Sequence, residues 1–566
     1  MNNLIFKRFF FITLLLLLIN ELGSKEEYQP VFSYEDTSHP TVGTGGMVVS
    51  QRKMASEVGA SILANGGNAV DAAVATAFAL SVVLPRAGNL GGGGFMLVYL
   101  SELDKTIAID YREKAPSEAT RDLFLDENGN YDKNKARFSL LSAGVPGTVA
   151  GLSYALEKYG TLSWKEVISP SIKLAEEGFE VTRDIENVLT IYKNRLTLNQ
   201  ATAEAYYKKD RVPYKAGEIL KLPDLAWSLK QLRDFGPQAF YEGEIAKKIV
   251  SEMEKNGGLI TLKDLKNYHV SERIPLKGTY KGFEIVSMPP SSSGGVHLIQ
   301  MLNMLEFHSL NKMGFGSSES IHLLVEVMKR AYADRSKFLG DSDFVEVPLL
   351  GLTSKEYAKN LLSKISLTQA TPSNEVLVGN PVPYESPDTT HFSVMDKWGN
   401  AVANTTTINL TFGSGVVVSG AGFLLNDEMD DFSAKPGVPN FFGAVGGEAN
   451  AIEPYKRMLS SMTPTLVTKD DKVVLVTGSP GGTTIISSVT QSLLNALLYD
   501  MSAEDAANEP RFHHQLLPKD TIRMHNGFDE GTLKALEAKG YIIDNRRFGD
   551  VHLIKRTSTG LDAASE

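Results

Sequence analysis

The sequence predicts a large chain of mixed α and β structure, and three stretches carry that reading. Residues 388–396 (Asp-Thr-Thr-His-Phe-Ser-Val-Met-Asp) and 400–407 (Asn-Ala-Val-Ala-Asn-Thr-Thr-Thr) both read as strands, with only Lys397-Trp398-Gly399 between them. Gly399 can supply the left-handed residue of a three-residue hairpin loop. Pairing Asp396 with Asn400 sets Thr389 opposite Thr407, and alternation of faces places Asn409 on the side of Thr407. The three would form one polar cluster, odd for a buried strand and natural for a catalytic one. The second stretch, 69–83, is built largely of alanine and valine, small residues that let a helix lie close on a sheet. The third is the glycine run at 88–94, which opens directly into an apolar strand at 95–100.

From the N-terminus, Lys7 and Arg8 precede the apolar run 9–19, and small residues Gly23 and Ser24 follow it. This is the pattern of a secretory signal peptide. The run is shorter than the roughly 20 residues a membrane span needs. Cleavage is expected near Ser24, with an uncleaved N-terminal anchor as the alternative. Residues 25–45 read as an irregular arm and 46–50 as a short strand. A helix over 53–64 is stopped by Asn65-Gly66-Gly67. Asn68 caps the next helix, which Pro85 ends. A dinucleotide-binding glycine loop follows a strand and opens a helix, the reverse of the order around 88–94, so these glycines predict close backbone packing.

A strand at 106–111 ends at Arg112-Glu113. Residues 126–130 resemble part of a calcium loop but lack its closing glutamate, which leaves a β-turn. Residues 147–270 read as mostly helical, with amphipathic helices at 164–177 and 224–235. A strand at 280–288 leads through Pro289-Pro290-Ser291-Ser292-Ser293-Gly294-Gly295 into a helix at 296–305, where Ser-Gly-Gly allows either anion binding or ordinary capping. Ser320 is the expected cap of a helix whose Ile321, Leu324, Val325, Met328 and Tyr332 recur at helical spacing. Residues 353–387 have few apolar anchors, with prolines at 381, 383 and 387, the mark of an exposed approach to Asp388-Thr389. A Pro- and Gly-rich loop at 432–443, a strand at 472–477 and a helix at 484–498 complete the chain.

Composition narrows the chemistry. The chain has 566 residues, is 42% hydrophobic and carries a net charge of −10, so it can bury a large core and is not suited to nucleic acid. It contains no cysteine, which excludes disulfides, thiol catalysis and cysteine-zinc sites. There is no Gly-x-Ser-x-Gly elbow and no His-Glu-x-x-His helix. His513-His514 lacks a third ligand at metal spacing. A threonine at a new chain terminus needs none of these, because its own α-amine, which titrates at about 7.7–8.0 in small peptides, serves as the base.

Four ordered motifs carry a family resemblance: Thr-Thr-His-Phe-Ser-Val at 389–394, Asn-Asp-Glu-Met-Asp-Asp-Phe at 426–432, Leu-Ser-Ser-Met-Thr-Pro at 459–464 and Gly-Ser-Pro-Gly-Gly at 478–482. Together they resemble γ-glutamyltranspeptidase, or glutathione hydrolase, of the N-terminal-nucleophile hydrolases. The resemblance implies a four-layer αββα sandwich, one interwoven catalytic unit cut between Asp388 and Thr389. It implies a signal peptide (1–24), a large fragment (25–388) and a small fragment (389–566) that stay associated. It assigns Thr389 as nucleophile, Thr407 as its orienting partner and Gly481 and Gly482 as the oxyanion hole. It gives Arg112, Ser460 and Ser461 to the substrate carboxylate, and Glu428, Asp431 and Asn409 to the ammonium. The implied donors are glutathione and other γ-glutamyl compounds, the acceptors water, amino acids or peptides, and no cofactor or metal is required. The implied location is outside the cytoplasm, periplasmic if the source is a Gram-negative bacterium. Two departures stand out: Phe442 where many bacterial members have Tyr, and Met458 where Pro is usual. The rival readings are an acylase acting on glutaryl cephalosporins, a poly-γ-glutamate-processing enzyme, and a non-catalytic binding protein on the same fold.

Overall fold

The structure is a computed structural model that describes residues 41–377, 390–435 and 447–566. Its centre is two antiparallel sheets packed face to face. In chain order their strands are β1 (Thr41–Gly43), β2 (Gly46–Ser50), β3 (Gly93–Leu100), β4 (Lys105–Asp110), β5 (Ser271–Arg273), β6 (Leu276–Tyr280), β7 (Phe283–Ser287), β8 (Thr390–Asp396), β9 (Ala401–Thr407), β10 (Thr465–Lys469), β11 (Lys472–Gly478), β12 (His552–Arg556) and β13 (Leu561–Ser565). One sheet has the order β2-β8-β9-β3-β4-β5, the other β1-β13-β12-β11-β10-β7-β6.

Alternation along the strands sorts the layers. Met96, Val98, Phe392, Val394 and Val402 point into an apolar cluster shared with helices α1 (Lys53–Ala64), α2 (Ala69–Val83), α3 (Thr148–Tyr159) and α4 (Trp164–Glu177). Phe95, Leu97, Tyr99, Met395, Ala401 and Ala403 point the other way, into a cluster with the second sheet. That cluster continues into α5 (Gly294–Leu305), α6 (Ser318–Phe338) and α7 (Thr484–Leu498). The order is therefore helix, sheet, sheet, helix, the predicted αββα sandwich.

Local chemistry explains the elements that matter for the site. Asn68 caps α2 by accepting the N–H groups of Val70 and Asp71, while Asp71 returns the bond to the Asn68 N–H at 2.8 Å. Every residue of α2 is buried, which only small side chains permit at this distance from its neighbours. A Cβ on Gly59 of α1 would lie 2.3 Å from Thr76 Oγ1 of α2. The hairpin follows the predicted register for every described pair, from Met395 opposite Ala401 to Thr390 opposite Thr406. Gly399 takes φ 91° in its loop.

The glycine run packs as expected. A Cβ on Gly91 would lie 2.1 Å from the Leu424 carbonyl oxygen, and one on Gly92 2.0 Å from that of Thr407. Both obstacles are backbone, so no side-chain rotation relieves them. Overpacking typically costs about 1–3 kcal/mol, and this contact belongs at or above the upper end. Gly92→Ala is expected to melt well below wild type in thermal denaturation; a variant that melts with wild type would contradict the close approach.

Three expectations change. The strand read at 280–288 is a hairpin, β6 and β7, turned by Lys281 (φ 49°) and Gly282 (φ 87°). The cap of α6 is Ser317, whose hydroxyl accepts the Ser320 N–H at 3.1 Å, so the helix starts before Ser320. The stretch after 353 includes a capped helix, Lys355–Leu362, which buries Ala358 and Leu361. Residues 1–40, 378–389 and 436–446 lie outside the described residues, and with them the signal-peptide reading, Asp388, Thr389 and Phe442. Among the described residues no helix is long and apolar enough to cross a membrane.

Candidate active site

The site is built where β9 ends. Thr407, its last residue, is buried, and its Oγ1 accepts the Asn409 N–H at 2.8 Å. The strand stops there, so alternation does not carry on to Asn409, which takes a left-handed conformation (φ 68°). The turn nevertheless keeps Asn409 beside Thr407. Its Nδ2 donates to the Asp427 carbonyl at 2.9 Å, while its Oδ1 is buried with no partner among the described residues.

Asp427 opens the acidic turn that contains Glu428 and Asp431. Asn426 fixes that turn: its Nδ2 donates to the carbonyls of Gly91 and Gly144, both at 2.8 Å, and its Oδ1 accepts the N–H groups of Gly144 and Glu428. All four amide contacts go to backbone, so the turn is held in place without relying on its own charges.

Arg112 reaches this turn from the end of β4. Its N–H donates to Asp110 Oδ1 at 3.0 Å. Its guanidinium donates to the Glu428 carboxylate, to Asp431 Oδ2 at 2.5 Å, and to the Met458 and Leu459 carbonyls at 3.2 and 3.4 Å. The three residues assigned to opposite ends of the substrate thus form one buried ion cluster. Glu113 adds a further carboxylate 3.8 Å from Arg112 Nη1.

One guanidinium among Glu113, Glu428 and Asp431 leaves the cluster with surplus negative charge. Burial disfavours that charge and pushes Glu428 well above the usual carboxylate range, against the pull of Arg112. Burial pushes Glu113 up to about 8, again opposed by Arg112. Asp427 is also raised, first by burial. Glu428 Oε2 and both oxygens of Glu113 have no hydrogen-bond partner among the described residues. Buried acceptors without donors are costly, and a cation entering here would both satisfy them and favour their ionised forms.

Ser460 and Ser461 lie on the loop whose carbonyls Arg112 holds. Ser460 Oγ accepts the Met462 N–H at 3.1 Å, and Ser461 Oγ accepts a bond from Arg335. The loop is zipped to the 291–293 turn: Ser460 N–H donates to the Ser291 carbonyl at 2.9 Å, and Ser293 N–H to the Ser460 carbonyl at 2.8 Å. Ser293 makes no side-chain cap to α5 and bonds the serine loop instead, while Ser292 Oγ accepts the Gly294 N–H at 3.2 Å. Met458 is buried with Met429, Phe432 and Ile452, so the loop accommodates it in an apolar pocket.

Gly481 and Gly482 follow β11 with φ values of 127° and 64°, conformations that suit glycine. The Gly481 carbonyl accepts both the N–H and the Oγ1 of Thr484 and so caps the start of α7. A Cβ on Gly478 would lie 2.3 Å from His391 Nδ1, which places the beginning of this glycine turn against the start of β8. Among the described residues no group of three or more His, Cys, Asp or Glu could hold a metal. The imidazoles of His513 and His514 use both ring nitrogens in hydrogen bonds to protein groups.

Sequence reasoning missed Asn426, Asn450, Ser293 and Arg335. Asn450 accepts the Leu459 N–H at 3.0 Å and donates to the Asp431 carbonyl at 2.7 Å, tying the serine loop to the acidic turn. Asn426 opens a motif already singled out, and Ser293 lies in the Ser-Gly-Gly turn read for anion binding or capping. The other two stand in stretches whose local pattern says only loop or helix.

Known proteins resemble this chain over most of its length. The family model described as gamma-glutamyltranspeptidase matches residues 55–566. The chain is 52% identical over 514 residues to the glutathione hydrolase proenzyme of Escherichia coli K12, covering 90% of this chain and 88% of that one. The structure resembles a cephalosporin acylase from Bacillus halodurans with a TM-score of 0.85 and 26% identity, over 95% of this chain and 97% of that one. It resembles Helicobacter pylori γ-glutamyltranspeptidase with a TM-score of 0.59 and 43% identity, over 61% of this chain and 97% of that one. With motifs, sandwich and matched length in agreement, the chain belongs to the γ-glutamyltranspeptidase family.

Proposed function

We propose that this protein removes the γ-glutamyl group from glutathione and related compounds and passes it to water or to an amino acid or peptide. The observation that carries the reading is the buried cluster of Arg112, Glu428 and Asp431 at the end of the Thr407 strand. A γ-glutamyl donor ends in an amino acid, with a carboxylate and an ammonium on one carbon. Arg112 and the Ser460-Ser461 loop suit the carboxylate; Glu428 Oε2, Asn409 Oδ1 and Asp431 suit the ammonium. An acylase for glutaryl groups would have no cation to place among these carboxylates.

In this reading the chain is a precursor cut between Asp388 and Thr389. The Thr389 hydroxyl attacks the Asp388 carbonyl, the peptide C–N bond breaks to free the Thr389 amine as an ester forms on Oγ1, and water hydrolyses that ester to release the Asp388 carboxylate and restore the hydroxyl. That amine then takes the hydroxyl proton as Thr389 Oγ1 attacks the γ-carbonyl, while the N–H groups of Gly481 and Gly482 receive the oxyanion. The leaving amine takes the proton, and the resulting ester is attacked by water or an acceptor amine. Residues 1–24 direct export and are removed; N-terminal sequencing of the secreted protein checks this, and an intact Met1 would refute it.

The deciding experiment compares two anilides, γ-glutamyl and glutaryl, which differ by the α-ammonium alone. Hydrogen bonds to a charged group contribute roughly 1.5–3 kcal/mol, so the γ-glutamyl donor is expected to win by about ten- to a hundredfold in kcat/KM. Equal turnover would replace this reading with the acylase, the activity named for the Bacillus halodurans relative.

A further inference from the structure

The serine loop is held by two buried guanidinium groups. Arg112 holds the carbonyls of Met458 and Leu459. The second is Arg335, in the last turn of α6 and fully buried. One of its arms donates to Ser461 Oγ, and its Nε donates to Ser293 Oγ at 2.8 Å. Ser293 Oγ in turn donates to the Ser460 carbonyl at 2.7 Å. Arg335 therefore fixes a side chain on one serine and, through Ser293, the backbone of the other.

We infer that Arg335 is a positioning residue for the substrate carboxylate and that it acts through Ser461. The inference rests on the γ-glutamyl reading. A hydroxyl that accepts from a cation must donate elsewhere, and among the described residues no acceptor takes the Ser461 proton. Accepting from a guanidinium also polarises the O–H, which makes it a stronger donor to an anion. Arg112 has its charge opposed by Glu428 and Asp431, so a second guanidinium behind the serines supplies the positive field that Arg112 alone cannot. Recognition of the carboxylate is thereby divided between Arg112 and an Arg335–Ser461 relay.

The test uses Arg335→Gln and Arg335→Lys in the full chain, with two anilide donors: a γ-glutamyl group with a free α-carboxylate, and the same group with that carboxylate amidated. For Arg335→Gln the KM of the carboxylate donor is expected to rise about tenfold or more, with kcat nearly unchanged and the preference over the amide largely lost. Arg335→Lys should restore part of the preference, since charge returns without the two-armed geometry. Ser293→Ala, which removes one acceptor of the fork, should move the preference in the same direction by less, and it covers the case in which Arg335→Gln does not fold. Parallel loss for both donors, or an unchanged preference in every variant that folds, would overturn the inference. A wild type that fails to prefer the α-ammonium would instead overturn the γ-glutamyl reading.

Discussion

Thr389→Ala is expected to remain a single polypeptide and to lose activity by about six orders of magnitude in kcat, the scale seen when the nucleophile of a covalent hydrolase is removed. The proposed mechanism uses Thr389 twice, as the hydroxyl that cuts the chain and as the nucleophile of the mature enzyme. The chain has no cysteine, so no thiol can stand in for it. The buried histidines nearest the start of β8 are not poised as bases either. Burial drives His391 far below its usual range, and its ring nitrogens are engaged by Thr405 and Ser393. Denaturing electrophoresis should show two bands for wild type and one for the variant. A small fragment that begins at any residue other than Thr389 would refute the assignment of the nucleophile.

The second large effect is expected at Arg112. Replacing it by leucine would leave Glu428 and Asp431 buried without their cation. Removing one partner of a buried pair costs about 3–5 kcal/mol. The effect would not be confined to substrate binding, because the same side chain also holds the Met458 and Leu459 carbonyls. Arg112→Leu should lower thermal stability and reduce kcat/KM for γ-glutamyl donors by at least about a hundredfold, the effect of losing charged hydrogen bonds at the upper end of their range. A triple variant with Glu428→Gln and Asp431→Asn should regain stability without regaining activity. Recovery of both together, or an Arg112→Leu enzyme with wild-type kcat/KM, would show that the cluster does not recognise substrate.

How far the sequence could be read depended on the range of the interaction. Asn68 capping α2, Gly399 turning the hairpin and the 88–94 glycines packing against backbone all follow from chemistry within a few residues. The register from Gly399 placed every described pair of β8 and β9 correctly. Lys281-Gly282 was missed because a lysine in a left-handed seat is no standard turn signal. At the site, motifs named the residues proposed to contact substrate but not what holds them. Arg335 and Ser461 are 126 residues apart, and Ser293 and Ser460 are 167 apart. No local pattern encodes such pairs; they exist only once both sheets and α6 have assembled.

The strand order has a thermodynamic consequence. In the six-stranded sheet β8 and β9 lie between β2 and β3; in the seven-stranded sheet β13, β12, β11 and β10 lie between β1 and β7. A cut between Asp388 and Thr389 would leave each sheet with the later fragment clasped on both sides by the earlier one. Separating the pieces would mean breaking four ladders at once, so dissociation and global unfolding become the same event. Before the cut, folding is a unimolecular search whose rate is independent of concentration. After it, the reverse of unfolding is a second-order encounter between two incomplete halves, each with unpaired strand edges that invite aggregation. The mature enzyme would then owe its persistence to a slow unfolding rate, and heat would destroy it irreversibly where the uncut Thr389→Ala chain could refold.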